Sequence, residues 1–414
     1  MHKVTVTGRP EGGVMRRVRI IGGAGVVRSQ LTRAEGTELT SSGPPVRGWA
    51  RRSASEIRHV LMTVDARAWA YALTLAGALA RRGVRTSLAV FATGLPASQR
   101  SEAWEVPGLQ IFEGRYGLEW MDEPWDDVRA AGAWLLSLAR VLRPDVVHLN
   151  GYAHGALGWP MPAVVVAHGC VCSWWEAVHG EAAPSRWDRY RAEVRRGLLG
   201  AARVVAPTRV MLETLERLHG PLGGGQVVHD ARALVPVRGL DKERWVLTSG
   251  QVQDAASNVA VLEAAVRRVS IRLAGDARQP PAEEGRPALD WVGSLGPEAM
   301  RVAMARAAIY AHPAVYEPFG LAPLEAALQG CALVLSDIPS LRELWDGAAV
   351  FVPARDPAAW AQALGALMED GARRRRLAEA ARARAGTFRP ERQAEEMLRI
   401  YEGARSELRQ AVAP

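Results

Sequence analysis

Two glutamates eight positions apart carry the densest chemistry in the sequence. They bound Tyr316–Glu325, which reads Y-E-P-F-G-L-A-P-L-E. Pro318 disfavours helical backbone at the residue before it, so Glu317 is predicted on a loop. Gly320 permits close backbone approach, and Leu321–Gln329 then reads as a helix. The first amides and positive dipole end of that helix can face a diphosphate or sugar oxygens. Glu325, just inside it, offers a carboxylate to a ribose diol, as acidic residues do in nucleotide sites. The competing reading is a proline-bounded loop whose glutamate caps the helix. His168 ends V-V-V-A-H-G, at the carboxyl end of a buried strand, where it would face a cleft. Trp174 and Trp175 follow and can stack on the apolar face of a sugar or pack between surfaces. Asn150, in L-N-G-Y, is a weaker acceptor-side candidate at another strand end.

Two series of alternating strands and helices must position these residues. In the first, His59–Val64, Arg85–Ala92, Val146–Leu149, Ala163–Ala167 and Arg203–Ala206 read as strands, and Trp69–Arg81 as an Ala/Leu-rich helix. The second has strands at Trp245–Ser249, Ser270–Leu273, Ile309–Ala311, Ala332–Ser336 and Ala349–Val352. From Pro357 the chain reads as helical. Such alternation predicts α/β structure with doubly wound parallel sheets. The boundaries read as a first domain over 58–235 and a second over 241–388. A Gly- and Pro-bearing linker lies around Pro221–Asp241, and a last helix in 389–414 is long enough to cross back to the first domain. Residues 1–57 are Gly-, Arg- and Ser-rich. They read as a disordered basic extension, although Ile20–Gly25 faintly suggests a strand and phosphate loop.

The chain has 414 residues and a net charge of +8. Residues 1–58 hold eleven Lys and Arg against four Asp and Glu, so the body is nearly neutral and does not read as a nucleic-acid binder. No apolar run reaches the roughly 18 residues of a membrane span. Three cysteines, Cys170, Cys172 and Cys331, lack CxxC spacing, which argues against a disulfide framework or zinc site and fits a reducing cytoplasm. No G-x-G-x-x-G follows the first strand, which disfavours a dehydrogenase. No D-x-D stands at a strand end, which disfavours a metal-dependent transferase.

The Tyr316–Glu325 segment resembles the Glu-x7-Glu motif of family 4 retaining glycosyltransferases. His312–Pro313, Gly330–Leu335, Asp337–Pro339, Ser340–Leu344, Phe351–Pro353, Leu149–Tyr152 and Val166–Trp175 extend the likeness over most of residues 58–402. The resemblance implies GT-B architecture: two Rossmann-like, doubly wound parallel-sheet domains with an interdomain cleft. It also implies glycosyl transfer from a nucleotide sugar to an acceptor hydroxyl or similar nucleophile. Configuration would be retained by front-face attack, with no metal or cofactor. On that pattern Glu317 meets the sugar and Glu325 the ribose. The amides of Phe319, Gly320 and Leu321 meet sugar hydroxyls. Gly250, Gln251, Ser257 and Gly275 surround the donor, and His168 positions the transferred sugar or the acceptor.

Three pieces of the pattern are altered. Asp65–Trp69 replaces the usual Gly-Gly after the first strand. His229-Asp230-Ala231 replaces an Asn-Gly pair before the linker. Gly250-Gln251 and Ser257-Asn258 replace Gly-Arg and Lys-Asn, removing two cations from the diphosphate site. Fixed cations there stabilise the charge of the departing diphosphate. Arg278 and Arg67 are candidate substitutes. A catalytically silent homologue, acting as a sugar-binding or regulatory subunit, is the alternative reading.

Overall fold

The computed structural model describes residues 19–22, 57–91, 95–250, 253–275 and 289–412. Eight strands form the first sheet: β1 (Arg19–Gly22), β2 (His59–Val64), β3 (Arg85–Phe91), β4 (Gln110–Gly114), β5 (Val146–Leu149), β6 (Ala163–Val166), β7 (Arg203–Ala206) and β8 (Gln226–Val227). Their order is β1-β4-β3-β2-β5-β6-β7-β8. The interleaved helices are α1 (Trp69–Arg81), α2 (Ala97–Trp104), α3 (Trp125–Leu142), α4 (Val171–His179), α5 (Asp188–Gly200) and α6 (Arg209–His219).

The second sheet contains β9 (Glu243–Ser249), β10 (Ile271–Ala274), β11 (Asp290–Gly293), β12 (Ala307–His312), β13 (Ala332–Ser336) and β14 (Val350–Val352). Their order is β11-β10-β9-β12-β13-β14, all parallel. Its helices are α7 (Pro297–Arg306), α8 (Leu321–Leu328), α9 (Pro339–Trp345), α10 (Pro357–Glu369), α11 (Gly371–Ala385) and α12 (Pro390–Val412). Two parallel, Rossmann-like sheets are therefore present, as the alternating pattern predicts.

Helices on both faces of a parallel sheet demand near-continuous apolar strands. β2, H-V-L-M-T-V, and β13, A-L-V-L-S, are buried at every position. The period of two divides β13 between two cores. Leu333 and Leu335 join Leu247, Phe319, Leu324 and Trp345 on one face. Ala332 and Val334 join Val246, Ile309, Trp360 and Leu364 on the other. Phe319, within the Glu-x7-Glu segment, is thus a core side chain, 3% exposed.

Several strands differ from the sequence reading. β4 and β11 stand where it places no strand. Arg19–Gly22, inside the expected disordered extension, pairs antiparallel with β4. β8 lies inside the expected linker and pairs in parallel with β7. β1 and β8 are too short to give an alternating pattern that stands out from their Gly-rich surroundings.

The chain packs as two compact units. The first takes the described residues up to Asn150, with Leu157–Val164 and Met397 onward; the second takes Gly151–Ala156 and Val165–Glu396. In the first, Leu61, Ala89, Phe112, Trp134 and Leu135 form a core. The end of α12 is fastened there. Buried His148 hydrogen-bonds the Tyr401 hydroxyl at 2.6 Å, and Arg405 pairs with Asp145 at 2.7 Å. Asp145 also accepts from the amides of Arg58 and His59. Among the described residues no helix is long and apolar enough to cross a membrane. Cys170, Cys172 and Cys331 are buried free thiols.

Trp360 is fully buried against the second sheet. Trp360→Ala is expected to cost about 3–5 kcal/mol, read as a lower urea midpoint of the second unit's transition.

Candidate active site

Glu317 lies on the loop between β12 and α8, as Pro318 predicts. His312, at the end of β12, approaches one carboxylate oxygen with Nε2 at 3.2 Å. The Phe319 amide approaches the other at 3.4 Å. Ser340 Oγ donates to the Glu317 carbonyl at 2.5 Å. The Phe319 amide, expected on a sugar hydroxyl, therefore faces the neighbouring carboxylate. Gly320 holds φ +92° at the start of α8, a conformation costly for any residue with a Cβ. Leu321 opens α8 half-buried.

Tyr316 ties this loop to the one that carries His168. Its hydroxyl accepts from the Cys170 amide at 3.1 Å and hydrogen-bonds Ser173 Oγ at 2.7 Å. A side chain on Gly169 would begin 3.0 Å from that hydroxyl and 3.5 Å from Pro318, so the two loops meet at a residue without one. Tyr152 donates to the Gly169 carbonyl at 2.9 Å. Cys170 caps α4, its sulfur accepting from the Ser173 amide, so Cys170 and Cys172 lie at a helix start rather than on a strand. Thr208, capping α6, donates to the Pro318 carbonyl at 3.0 Å. Glu343 accepts from the α6 amides of Arg209 and Val210 at 2.8 and 3.0 Å. All these groups belong to the second unit. Within it, His168 is neutral at ordinary pH, because burial pushes its imidazole down to about 4.

Glu325, expected to offer its carboxylate to a ribose diol, has a basic partner in the protein. Arg232, after β8, meets it with Nε at 2.5 Å, both side chains being about one-fifth exposed. The same segment brings His229 and Asp230. His229 hydrogen-bonds the Pro207 carbonyl through Nδ1 at 2.8 Å and packs on Phe319 and Phe388. Asp230 is 5% exposed, and its Oδ1 is buried without a hydrogen-bond partner among the described residues. Burial, and then the charge of Glu317, push its carboxyl up to about 8.

Three donor-side candidates converge independently. A side chain at Gly275 would begin 2.0 Å from the Gly250 carbonyl oxygen, and one at Gly250 would meet Ser257 at 3.1 Å. The Ser257 turn is joined to the glutamate loop, since the Val315 amide donates to the Ala256 carbonyl at 2.9 Å. Gln251 and Arg278 lie outside the described residues. Arg67 stands over the Trp120 ring at 4.1 Å, in the first unit.

The acceptor-side candidates divide. Trp174 and Trp175 are half-buried on α4 and form an aromatic group with His179, Trp175 and His179 centroids being 4.3 Å apart. Arg186 lies over Trp175 at 4.9 Å. Asn150 belongs to the first unit, where its carboxamide donates to the Thr63 carbonyl at 2.7 Å and meets His148 at 2.9 Å. That amide is used as a structural tie.

Against known families, residues 68–229 match the model described as Glycosyltransferase Family 4, and residues 245–370 the one described as Glycosyl transferases group 1. A D-inositol 3-phosphate glycosyltransferase of Xylanimonas cellulosilytica is 30% identical over 398 residues, covering 80% of this chain and 90% of that one. The chain belongs to the family 4 glycosyltransferases. Another relative of this glycosyltransferase, a D-inositol 3-phosphate glycosyltransferase of a Nocardioides species, is 34% identical over 128 residues, 30% of this chain and 28% of that one. Sucrose-phosphate synthase from Thermosynechococcus elongatus matches the fold with a TM-score of 0.65 at 18% identity, covering 86% of this chain and 100% of that one. Anabaena HepE, in complex with UDP and glucose, matches at 0.62 and 15%, covering 82% and 98%. The architecture of this glycosyltransferase is GT-B.

Sequence reasoning missed Arg232 and the tie made by Tyr316. A lone arginine in a Pro- and Gly-bearing stretch has no periodic signature. Asp230 did leave a signal, an acid where the resemblance expects Asn-Gly, but its burial was invisible.

Tyr316→Phe removes the hydroxyl that satisfies the Cys170 amide. The expected loss is about 1–3 kcal/mol, measured by chemical denaturation, with a lower Tm.

Proposed function

We propose that this glycosyltransferase transfers a sugar from a nucleotide-sugar donor to an acceptor hydroxyl, with retention and without a metal or cofactor. The observation that carries this reading is the immobilised Glu317. Its carboxylate is approached by His312 and the Phe319 amide, and its neighbour Tyr316 fastens the His168 loop beside it. In this reading Glu317 orients the transferred sugar, and neutral His168 contacts it by hydrogen bonding. The leaving diphosphate takes the acceptor proton, so no separate side-chain base is required. Residues 241–388 form the donor side, with Gly250, Gln251, Ser257 and Gly275 around the diphosphate. Residues 58–235 form the acceptor side, with Trp174 and Trp175 as a stacking surface. Glu325 meets the ribose through the oxygen not held by Arg232, and Arg232 supplies a positive charge that Gln251 and Ser257 lack. A cyclitol phosphate is the first acceptor to try, because relatives at 30% and 34% identity are named for one.

A thermal-shift panel of UDP, GDP and ADP and their glucose and mannose derivatives tests the donor. One nucleotide is expected to stabilise the protein by about 2.7 kcal/mol at a hundred times its Kd. Stabilisation by none would support the silent homologue. Glu317→Gln should lower kcat about a hundredfold with nucleotide binding kept. Restoring both cations, Gln251→Arg with Ser257→Lys, is expected to lower turnover if Arg232 already holds the diphosphate; a large gain would show an impaired cleft.

A further inference from the structure

Asp230 presents a buried acid whose Oδ1 has no hydrogen-bond partner among the described residues. Its position is fixed from both sides, by His229 packed on Phe319 and by Arg232 paired with Glu325. These anchors lie on the loop and helix that carry the glutamate pair, and Asp230 stands close enough to feel the charge of Glu317. The Asp230 Oδ1 is buried and unpartnered among the described residues, and burying such an atom unpaired is costly. A purely structural acid would be expected to find a backbone amide or a cation. His229, one residue earlier, does find a carbonyl, so the segment is not short of partners.

We propose that Asp230 is a further sugar-contacting residue of this site, its buried carboxyl hydrogen-bonding a hydroxyl of the transferred sugar alongside Glu317. This rests on the nucleotide-sugar reading above.

The surrounding ionisable groups favour the neutral acid. Burial raises the Asp230 carboxyl, and the nearby charge of Glu317 raises it further, to about 8. His312 engages Glu317, not Asp230. Glu325 is paired with Arg232. Burial and the charges of Glu325 and Glu317 raise the Tyr310 hydroxyl, which is neutral and hydrogen-bonded to Ser249. His168 is neutral. Two nearby carboxyls, one of them buried, cannot both ionise cheaply. One acid and one carboxylate together supply a donor and an acceptor, the pair needed to grip a sugar hydroxyl in both its roles. The Asn-Gly expected from the resemblance would place no such acid here, so the contact would distinguish this chain's sugar preference from that pattern.

The test compares binding of a bare nucleotide with its sugar derivative by calorimetry, at pH 7 and pH 9. The probes are UDP with UDP-glucose, GDP with GDP-mannose, and ADP with ADP-glucose. In the wild type, the affinity ratio of sugar derivative to bare nucleotide should fall about tenfold from pH 7 to pH 9, as the acid ionises. Asp230→Asn, neutral and still a donor, should keep the pH 7 ratio at both values. Asp230→Leu should lose the sugar increment at both. A wild-type ratio that does not change with pH, or an Asp230→Asn ratio that falls in parallel with it, overturns the proposal. If Asp230→Leu does not fold, the wild type and Asp230→Asn profiles decide alone. Absence of binding by all three bare nucleotides overturns the nucleotide-sugar reading itself, and this proposal with it. Normal nucleotide binding with a pH-independent sugar increment overturns only the role of Asp230. A merely structural acid would move Tm and leave the ratio unchanged.

Discussion

The tyrosine hydroxyl at position 316 is the fastening on which the candidate site depends. It joins the start of α4 to the loop between β12 and α8, through Cys170 N–H and Ser173 Oγ. Each partner comes from a segment more than 140 residues away in sequence, so neither loop has a local reason to adopt its place. Gly169 makes the approach possible, because a side chain there would meet Tyr316 and Pro318. Thr208 and Glu343 brace the same region by capping α6, Thr208 also reaching the Pro318 carbonyl. With these ties, Glu317 and His168 occupy fixed positions rather than two independently moving loops. Fixed groups matter in glycosyl transfer because charge develops on the sugar and leaving group, and preorganised partners need not reorganise to meet it.

Three carboxyls in this region meet the cost of burial in three ways. Glu317 keeps its carboxylate beside a histidine and a backbone amide. Glu325 takes an arginine. Asp230, with neither, is held as the neutral acid at ordinary pH. Each outcome follows from the same rule, that an ion taken from water must be paired, hydrogen-bonded or neutralised. The altered positions of the sequence are thereby connected. The Asn-Gly pair gives way to a segment carrying both the neutral acid and the arginine. In the same chain Gln251 and Ser257 stand where the resemblance expects two cations. Close packing at Gly250 and Gly275 leaves no room for a side chain at Gly275, whose Cβ would begin 2.0 Å from the Gly250 carbonyl oxygen.

Much of the fold was legible from the residues. The continuous apolar runs of β2, β5, β7 and β13 read as buried parallel strands, because helices cover both faces of such a sheet. Pro318 and Gly320 located the glutamate loop and the start of α8 through backbone restriction alone. β1 was legible only as the faint strand over Ile20–Gly25 and β8 not at all, since four and two residues give no measurable period, and β1 is ordered by pairing with a distant strand. The hydroxyl of Tyr316, the charge on Arg232 and the burial of Asp230 carried no local signal of their partners.

The sequence by itself thus determined which backbone could bend at Glu317, which strands were apolar enough to be buried, and that two expected cations were absent. Those properties depend on steric and hydrophobic preferences of a few adjacent residues. Only the tertiary structure decided that Glu325 would be paired, that Phe319 would face the core, that Asn150 would be a tie within the first unit, and that Asp230 would be an acid rather than an ion. Charge state and partnership depend on the solvent excluded and on the groups brought near by chain segments far apart in order, and no short stretch of sequence contains that information.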